Sequence, residues 1–368
     1  MRSYLTSQRQ SFIILASVVA LAMTLPNSAS TQRNEQSMSY QPLTRIKLDG
    51  DPHVHRVSVD RKGNLYIVTH TDQAGSLLSK FAPSGRRLLT LSLQQLLATP
   101  RGSIHDLLMA RDGTIYLLAV WRTPDETEPL TGVLVLDSNG NLQRVVEIAP
   151  IFFRPGNRLA VDSTGAFYVS GLRFREKNPK LPLVTNNTIH KFSPSGKLVT
   201  SFAPLTEQFT RERYLSPREY QALHIDSRDR LHQIYLDGTE VRTFDTSGRL
   251  LGIHRIGFNA HLTSKQNGLR VAFAQRRILG SFVWNDHLML VVGDTYQTAD
   301  GTPAPSSEFY TLVIDPLEHS EEILATPQGA IPATSIGLDG HCYALVHEHD
   351  PQTGAAHFVI AKQKLIMR

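Results

Sequence analysis

Residues 56–68 read Arg56-Val-Ser-Val-Asp60-Arg-Lys-Gly63-Asn-Leu-Tyr66-Ile-Val68, and residues 78–88 read Leu78-Ser-Lys-Phe-Ala-Pro-Ser-Gly85-Arg-Arg-Leu88. The same text returns farther along as Leu159-Ala-Val-Asp162-Ser-Thr-Gly165-Ala-Phe-Tyr168-Val169 with Ile189-His-Lys-Phe-Ser-Pro-Ser-Gly196-Lys-Leu198. Between these copies lie Asp112-Gly113-Thr-Ile-Tyr116 and Val135-Leu-Asp137-Ser-Asn-Gly140-Asn-Leu142. A fourth copy holds Ile225-Asp226-Ser-Arg-Asp229-Arg-Leu231 and Phe244-Asp-Thr-Ser-Gly248-Arg-Leu250. Two looser copies surround Asn285-Asp286 and Asp339-Gly340. The turn position recurs at 63, 113, 165, 229, 286 and 340, a spacing of 50 to 64 residues.

Each unit alternates apolar and polar residues, breaks at a Gly, Asp or Asn turn, and repeats this to give four short strands. Four strands at this period describe a propeller blade, and six units make six blades. The expected fold is therefore all-β: a six-bladed β-propeller of four-stranded antiparallel blades. The last unit offers only three strands, while Thr44 to Leu48 form a strand without a unit. Placed at the outside of the last blade, that strand closes the ring and removes an open edge. The turn aspartates Asp60, Asp162 and Asp226 are read as acceptors for turn backbone, not as catalytic groups.

The repeat resembles that of the NHL-type six-bladed propellers, in the wider group of TolB-like and gluconolactonase-like propellers. It matches their apolar-x-Val-Asp-x-x-Gly-x-apolar-Tyr-Val and apolar-x-Lys-Phe-x-x-x-Gly stretches. The resemblance implies a fold shared by metal hydrolases, peptide-amidating lyases and many extracytoplasmic binding proteins, and so sets a range of functions. Gluconolactonase-like relatives open their first blade with a metal-binding Glu-Gly-Pro; here the stretch is Gly50-Asp51-Pro52-His53.

Composition excludes several other classes. The 368 residues are 41% hydrophobic and 19% charged, which does not suit a disordered chain. Cys342 is the only cysteine, so no disulfide framework is possible, and we read it as a packed strand residue. Residues 1–30 read as a cleaved secretory signal. Arg2 and Arg9 form its basic start, Phe12–Leu25 its apolar run, and Pro26-Asn-Ser-Ala-Ser30 its end. A retained anchor is the alternative, although 14 apolar and small residues fall short of the about 20 that span a bilayer. Residues 31–43 are assigned as a linker and 44–368 as the propeller. Cleavage leaves 36 Lys and Arg against 33 Asp and Glu, a net +3 without the clustered basic face of a nucleic-acid binder. The expectation is an exported periplasmic or extracellular monomer with no stable membrane span and no nucleic-acid partner.

Antiparallel order sorts the loops. Short Gly turns gather on one face, and the long connections gather on the other: 70–76, 121–132, 173–187, 294–308 and 347–355. Long, varied loops on one rim mark it as the working face for a small molecule, peptide or protein. Eight residues before each turn position, where the innermost strands begin on that rim, stand His55, His105, Asn157 and Gln221; unit five has Ile278 there. His53, His70, Asp106, Arg158, His347, Glu348 and His349 are expected on the same rim. Trp121, Phe174 and Tyr296 are candidate aromatic anchors for a ligand. Arg173-Phe-Arg-Glu-Lys177 and Phe209-Thr-Arg-Glu-Arg-Tyr214 are candidate anion-recognition loops, and His347-Glu-His349 is read as a solvated loop.

Two functions follow. The first is binding through the channel mouth. The alternative is a metal-dependent hydrolase or lyase in which His55 and His105 hold a divalent ion, zinc or calcium, with Asp106 or Glu348 moving the proton. The amidating lyases that the repeat resembles also carry metal-binding channel histidines. No Gly-x-Ser-x-Gly elbow, His-Glu-x-x-His helix, phosphate loop or dinucleotide fingerprint is present.

Overall fold

A strand pattern broken by positive-φ turns must fold into successive hairpins, and the computed structural model shows them. It describes residues 39–47, 54–71, 75–98, 101–122, 130–148, 158–172, 186–205, 221–235, 240–256, 265–266, 269–298, 303–325, 333–349 and 356–366. Strand β1 (Ser39–Lys47) comes first but belongs to the last blade. Blade 1 is β2 (Val54–Val59), β3 (Leu65–Thr71), β4 (Gly75–Phe81) and β5 (Arg87–Ser92), followed by the short helix α1 (Leu93–Leu97). Blade 2 is β6 (Arg101–Met109), β7 (Ile115–Arg122), β8 (Leu130–Leu136) and β9 (Leu142–Glu147). Blade 3 is β10 (Leu159–Val161), β11 (Phe167–Ser170), β12 (Asn187–Phe192) and β13 (Leu198–Pro204). Blade 4 is β14 (Gln221–Ile225), β15 (Leu231–Tyr235), β16 (Glu240–Phe244) and β17 (Leu250–Arg255). Blade 5 is β18 (Lys265–Gln266), β19 (Leu269–Trp284), β20 (His287–Thr298), β21 (Pro303–Asp315) and β22 (Ser320–Ala325). Blade 6 is β23 (Ser335–Ile336), β24 (Cys342–His349) and β25 (Ala356–Ile366).

The innermost strands β2, β6, β10, β14, β19 and β23 touch one another in that cyclic order, and β23 returns to β2. The chain is a six-bladed β-propeller. Its ring closes as expected, with β1 paired antiparallel to β25, Lys47 facing Val359.

Each seam between blades is filled by its own apolar cluster. Leu78, Ile115, Leu117 and Leu134 pack between blades 1 and 2, and Phe202, Leu223, Leu231 and Phe244 pack between blades 3 and 4. A polar clasp recurs beside this core. In blade 3 the Tyr168 hydroxyl donates to Asp162 at 2.9 Å, and Lys191 lies 5.2 Å over the ring while donating to Thr246 O of blade 4. Tyr66 with Lys80 grips Ser138 O of blade 2 in the same way, at 2.9 and 2.8 Å. These contacts explain why Tyr and Lys recur in the repeat: they join neighbouring blades.

The turn aspartates do what the repeat predicts. Asp60 Oδ1 accepts the amides of Lys62 and Asn64, and Asp162 Oδ1 those of Thr164 and Ala166. Gly85 shows why glycine is required at the outer turn. Its φ is +86°, and a Cβ there would stand 2.5 Å from Lys47 O.

Several expectations are corrected. Strand β1 starts at Ser39, inside the stretch read as linker, because the edge of β25 extends far enough to pair it. Helix α1 was not expected; Ser92 and Gln95 form its capping box. Blade 5 has a fifth, two-residue strand, β18. Much of the 294–308 stretch is strand, with Asp294 facing Glu308 and Thr295 facing Ser307, so the ladder of β20 and β21 runs on into it. His347-Glu-His349 is likewise strand, in β24, and Glu348 is tied to Arg45 of β1 at 2.6 Å. Among the described residues no helix is long and apolar enough to cross a membrane.

Candidate functional site

The start of each innermost strand on the long-loop face carries the site, and the backbone there is special in blades 1 and 2. Val54 faces Thr69 and Arg56 faces Val68, so His55 is an extra residue in the ladder. Ile104 faces Ala119 and Asp106 faces Leu118, so His105 is extra in the same way. Both histidines are β-bulge residues, a device that re-aims one side chain out of the sheet's alternation. The corresponding bulge in blade 5 falls on Leu279, one residue after Ile278, because the Asn285-Asp286 turn has only two residues.

The two bulges bring a cluster together at the seam. The His55 and His70 rings meet edge-on at 6.1 Å between centroids. His70 Nδ1 lies 3.3 Å from Ser76 Oγ, which accepts the Ile104 amide next to His105. His105 Nε2 contacts Ser103 Oγ at 3.0 Å. Burial, aided by the Arg56 charge and the His55 and His70 rings, holds the His105 pKa down at about 4. His105 is therefore a neutral imidazole at pH 7, able both to donate and to accept a hydrogen bond.

Arg56 and Asp106 frame this cluster. Arg56 Nε pairs with Asp106 Oδ1 at 3.0 Å, and its Nη1 donates to His55 O at 2.7 Å. Asp106 is buried, not at the rim, and its Oδ2 accepts the Leu159 amide at 2.8 Å. Burial pushes its pKa up, opposed by Arg56 and the amides. With one oxygen on a guanidinium and the other on a backbone amide, Asp106 is held in place as a support for the cluster. Arg56 was missed from sequence. The available signal was its charge, opposite to that of Asp106, each standing just after the bulge histidine of its blade.

Trp121 is corrected as an anchor. It is 4% exposed, and its ring closes on Gly132, where a Cβ would meet it at 2.6 Å. Arg158 is half-buried and exchanges hydrogen bonds with Ser170 through its backbone. Gln221 heads β14 opposite Tyr235, and Tyr296 lies in β20 opposite Phe273. Asn157, His53, Phe174 and the two basic-aromatic stretches lie outside the described residues. Deeper along the inner strands, His224 Nε2 contacts Ser281 Oγ of blade 5 at 2.8 Å, and burial holds the His224 pKa at about 4. Cys342 is buried, and burial pushes its thiol up to about 12, which keeps it inert. Among the described residues no three His, Cys, Asp or Glu side chains stand close enough together to hold a metal ion.

No protein-family model matches this chain, and no curated protein matches it. Solved structures do. Virginiamycin B lyase from Staphylococcus aureus is 13% identical with a TM-score of 0.44, over 90% of this chain and 100% of that one. A member of the DUF4221 family from Bacteroides vulgatus is 10% identical with a TM-score of 0.47, over 90% and 99%. The WD40 domain of Neurospora crassa Pan2 is 13% identical with a TM-score of 0.45, over 87% and 84%. Such distant likenesses say nothing of what this chain binds.

Proposed function

We propose that this chain is an exported binding propeller of the NHL type that takes a small molecule, peptide or protein segment at the mouth of its channel, on the seam between blades 1 and 2. One observation carries the reading: bulges at the same point of two consecutive blades turn His55 and His105 out of the ladder, beside His70 and Arg56. A bulge costs ladder hydrogen bonds, and such irregularities concentrate where a side chain must be aimed. The Arg56–Asp106 pair cancels its own charge, so the cluster offers hydrogen bonds from its imidazole rings, with His105 held neutral, more than a net charge. The fitting ligand is polar and not strongly charged.

The test is a thermal-shift screen of metabolites and short peptides against the mature protein and a His55→Ala/His105→Ala variant. A ligand that raises the wild-type melting temperature and leaves the variant unmoved supports the mouth as the site. A ligand that raises both equally overturns it. The alternative, a zinc- or calcium-dependent hydrolase or lyase, would need a third ligand from outside the described residues to join His55 and His105. Elemental analysis decides it: one tightly held ion per chain, lost in the same variant, would favour the enzyme. Cleavage after residue 30 is checked by N-terminal sequencing of exported protein.

A further inference from the structure

The outer turns of blades 1 to 4 end on the left-handed glycines Gly85, Gly140, Gly196 and Gly248, with φ between +86° and +91°. Each lies flat against the outer strand of the preceding blade. A Cβ on Gly85 would meet Lys47 O at 2.5 Å, on Gly140 Leu89 at 2.6 Å, on Gly196 Val146 at 2.6 Å and on Gly248 Phe202 at 2.5 Å. Four seams are thus sealed by the absence of a side chain.

Blade 5 breaks the rule. Its outer turn leaves four residues between the paired strands, against five in blades 1 to 4, and its left-handed position is His319, at φ +54°. A non-glycine residue there is strained, and retained strain points to a use. The His319 ring stacks on His254 of β17, 5.9 Å between centroids and 15° between planes. His254 is in turn held by Glu321 at 2.7 Å. Leu317 and Pro316 of this turn still pack on Gly252 of β17, but beside them lies an open cleft of about 660 Å³, lined by Ile253, His254, Arg255, His319 and Glu321. That volume suits a small ligand.

We propose that this cleft, on the outer rim and apart from the channel mouth, is a second binding site for a small molecule carrying a carboxylate or phosphate group. Arg255 supplies the cation that pairs with the oxyanion, the exposed His319 ring adds a donor, and Ile253 receives the apolar part of the ligand. Glu321 is occupied by His254, which keeps its carboxylate off the oxyanion.

Isothermal titration of the full mature chain with inorganic phosphate, and separately with benzoate, tests this. Saturable binding of either probe is expected, weakened at least about tenfold in Arg255→Gln and in His319→Gly. His319→Gly installs the residue that the other four turns use, so it should fold with an unchanged or higher melting temperature. Binding of phosphate alone or benzoate alone tells the two chemistries apart. Binding unchanged in His55→Ala/His105→Ala separates this cleft from the mouth. No saturable heat from either probe, or equal binding by His319→Gly, overturns the proposal.

Discussion

Arg56 of blade 1 and Asp106 of blade 2 form an ion pair at 3.0 Å, and the same carboxylate accepts the Leu159 amide of blade 3 at 2.8 Å. One side chain thereby ties three consecutive blades together behind the histidine cluster. The pair is part-buried, and removing one partner leaves the other poorly matched, at a cost of about 1–3 kcal/mol. Asp106→Ala is expected to lose that much in urea unfolding. Arg56→Met, which strands Asp106, should lose a similar amount, and the double variant less than the sum of the two. Additive losses would show that the pair does not couple the blades.

Acid should weaken the fold. His105 and His224 both have pKa values of about 4 in the folded chain, against 6.5 ordinarily. Below pH 6.5 the unfolded chain takes up protons that the folded chain refuses until about pH 4. Their contribution to stability is therefore full above pH 6.5 and is lost as pH falls toward 4. Each histidine can contribute at most about 1.4 kcal/mol per pH unit in that window. Urea midpoints measured from pH 4.5 to 7.5 should fall with acid, and His224→Gln should flatten the slope.

Two glycine-to-alanine changes separate strain from collision. Gly340 has φ +77° and nothing within 4 Å of a Cβ, so Gly340→Ala should cost only the backbone term, about 1 kcal/mol. Gly85→Ala adds a collision with Lys47 O in the ring-closing strand. It should cost at least about 3 kcal/mol and broaden the thermal transition. Equal losses would mean that the seam relaxes freely.

Deleting residues 39–47 should open the ring. The edge of β25 would then present unpaired backbone, which promotes association between chains. The expected result is aggregation on size exclusion and a lower melting temperature, with partial recovery on adding a peptide of that sequence. A monomer with unchanged stability would show that blade 6 does not need its outer strand.

The repeat was readable because its signals are local. Alternation, a positive-φ turn and an aspartate that accepts turn amides are each set by a few consecutive residues. Even its exceptions carry a reason. Asp229 and Asp286 replace the turn glycine in blades 4 and 5, where their carboxylates accept the amide and hydroxyl of Ser163 and Ser227 in the preceding blade. The site was readable only in part. Counting back from each turn found His55 and His105, and the loop sorting put His70 on their rim, but neither showed that the two are bulged nor that Arg56 joins them. Trp121 looked like an anchor because an aromatic residue beside a long loop can turn either way.

The sequence by itself determined the number of blades, the position of their turns, the strand that closes the ring and which face holds the long connections. All of these follow from period and from backbone conformations that few residues tolerate. Only the tertiary structure decided that Asp106 binds Arg56 and the Leu159 amide, that Trp121 is buried over Gly132, and that His319 meets His254 across a seam. Those outcomes depend on how closely segments far apart in sequence approach, which is settled by packing between blades and not by any local preference.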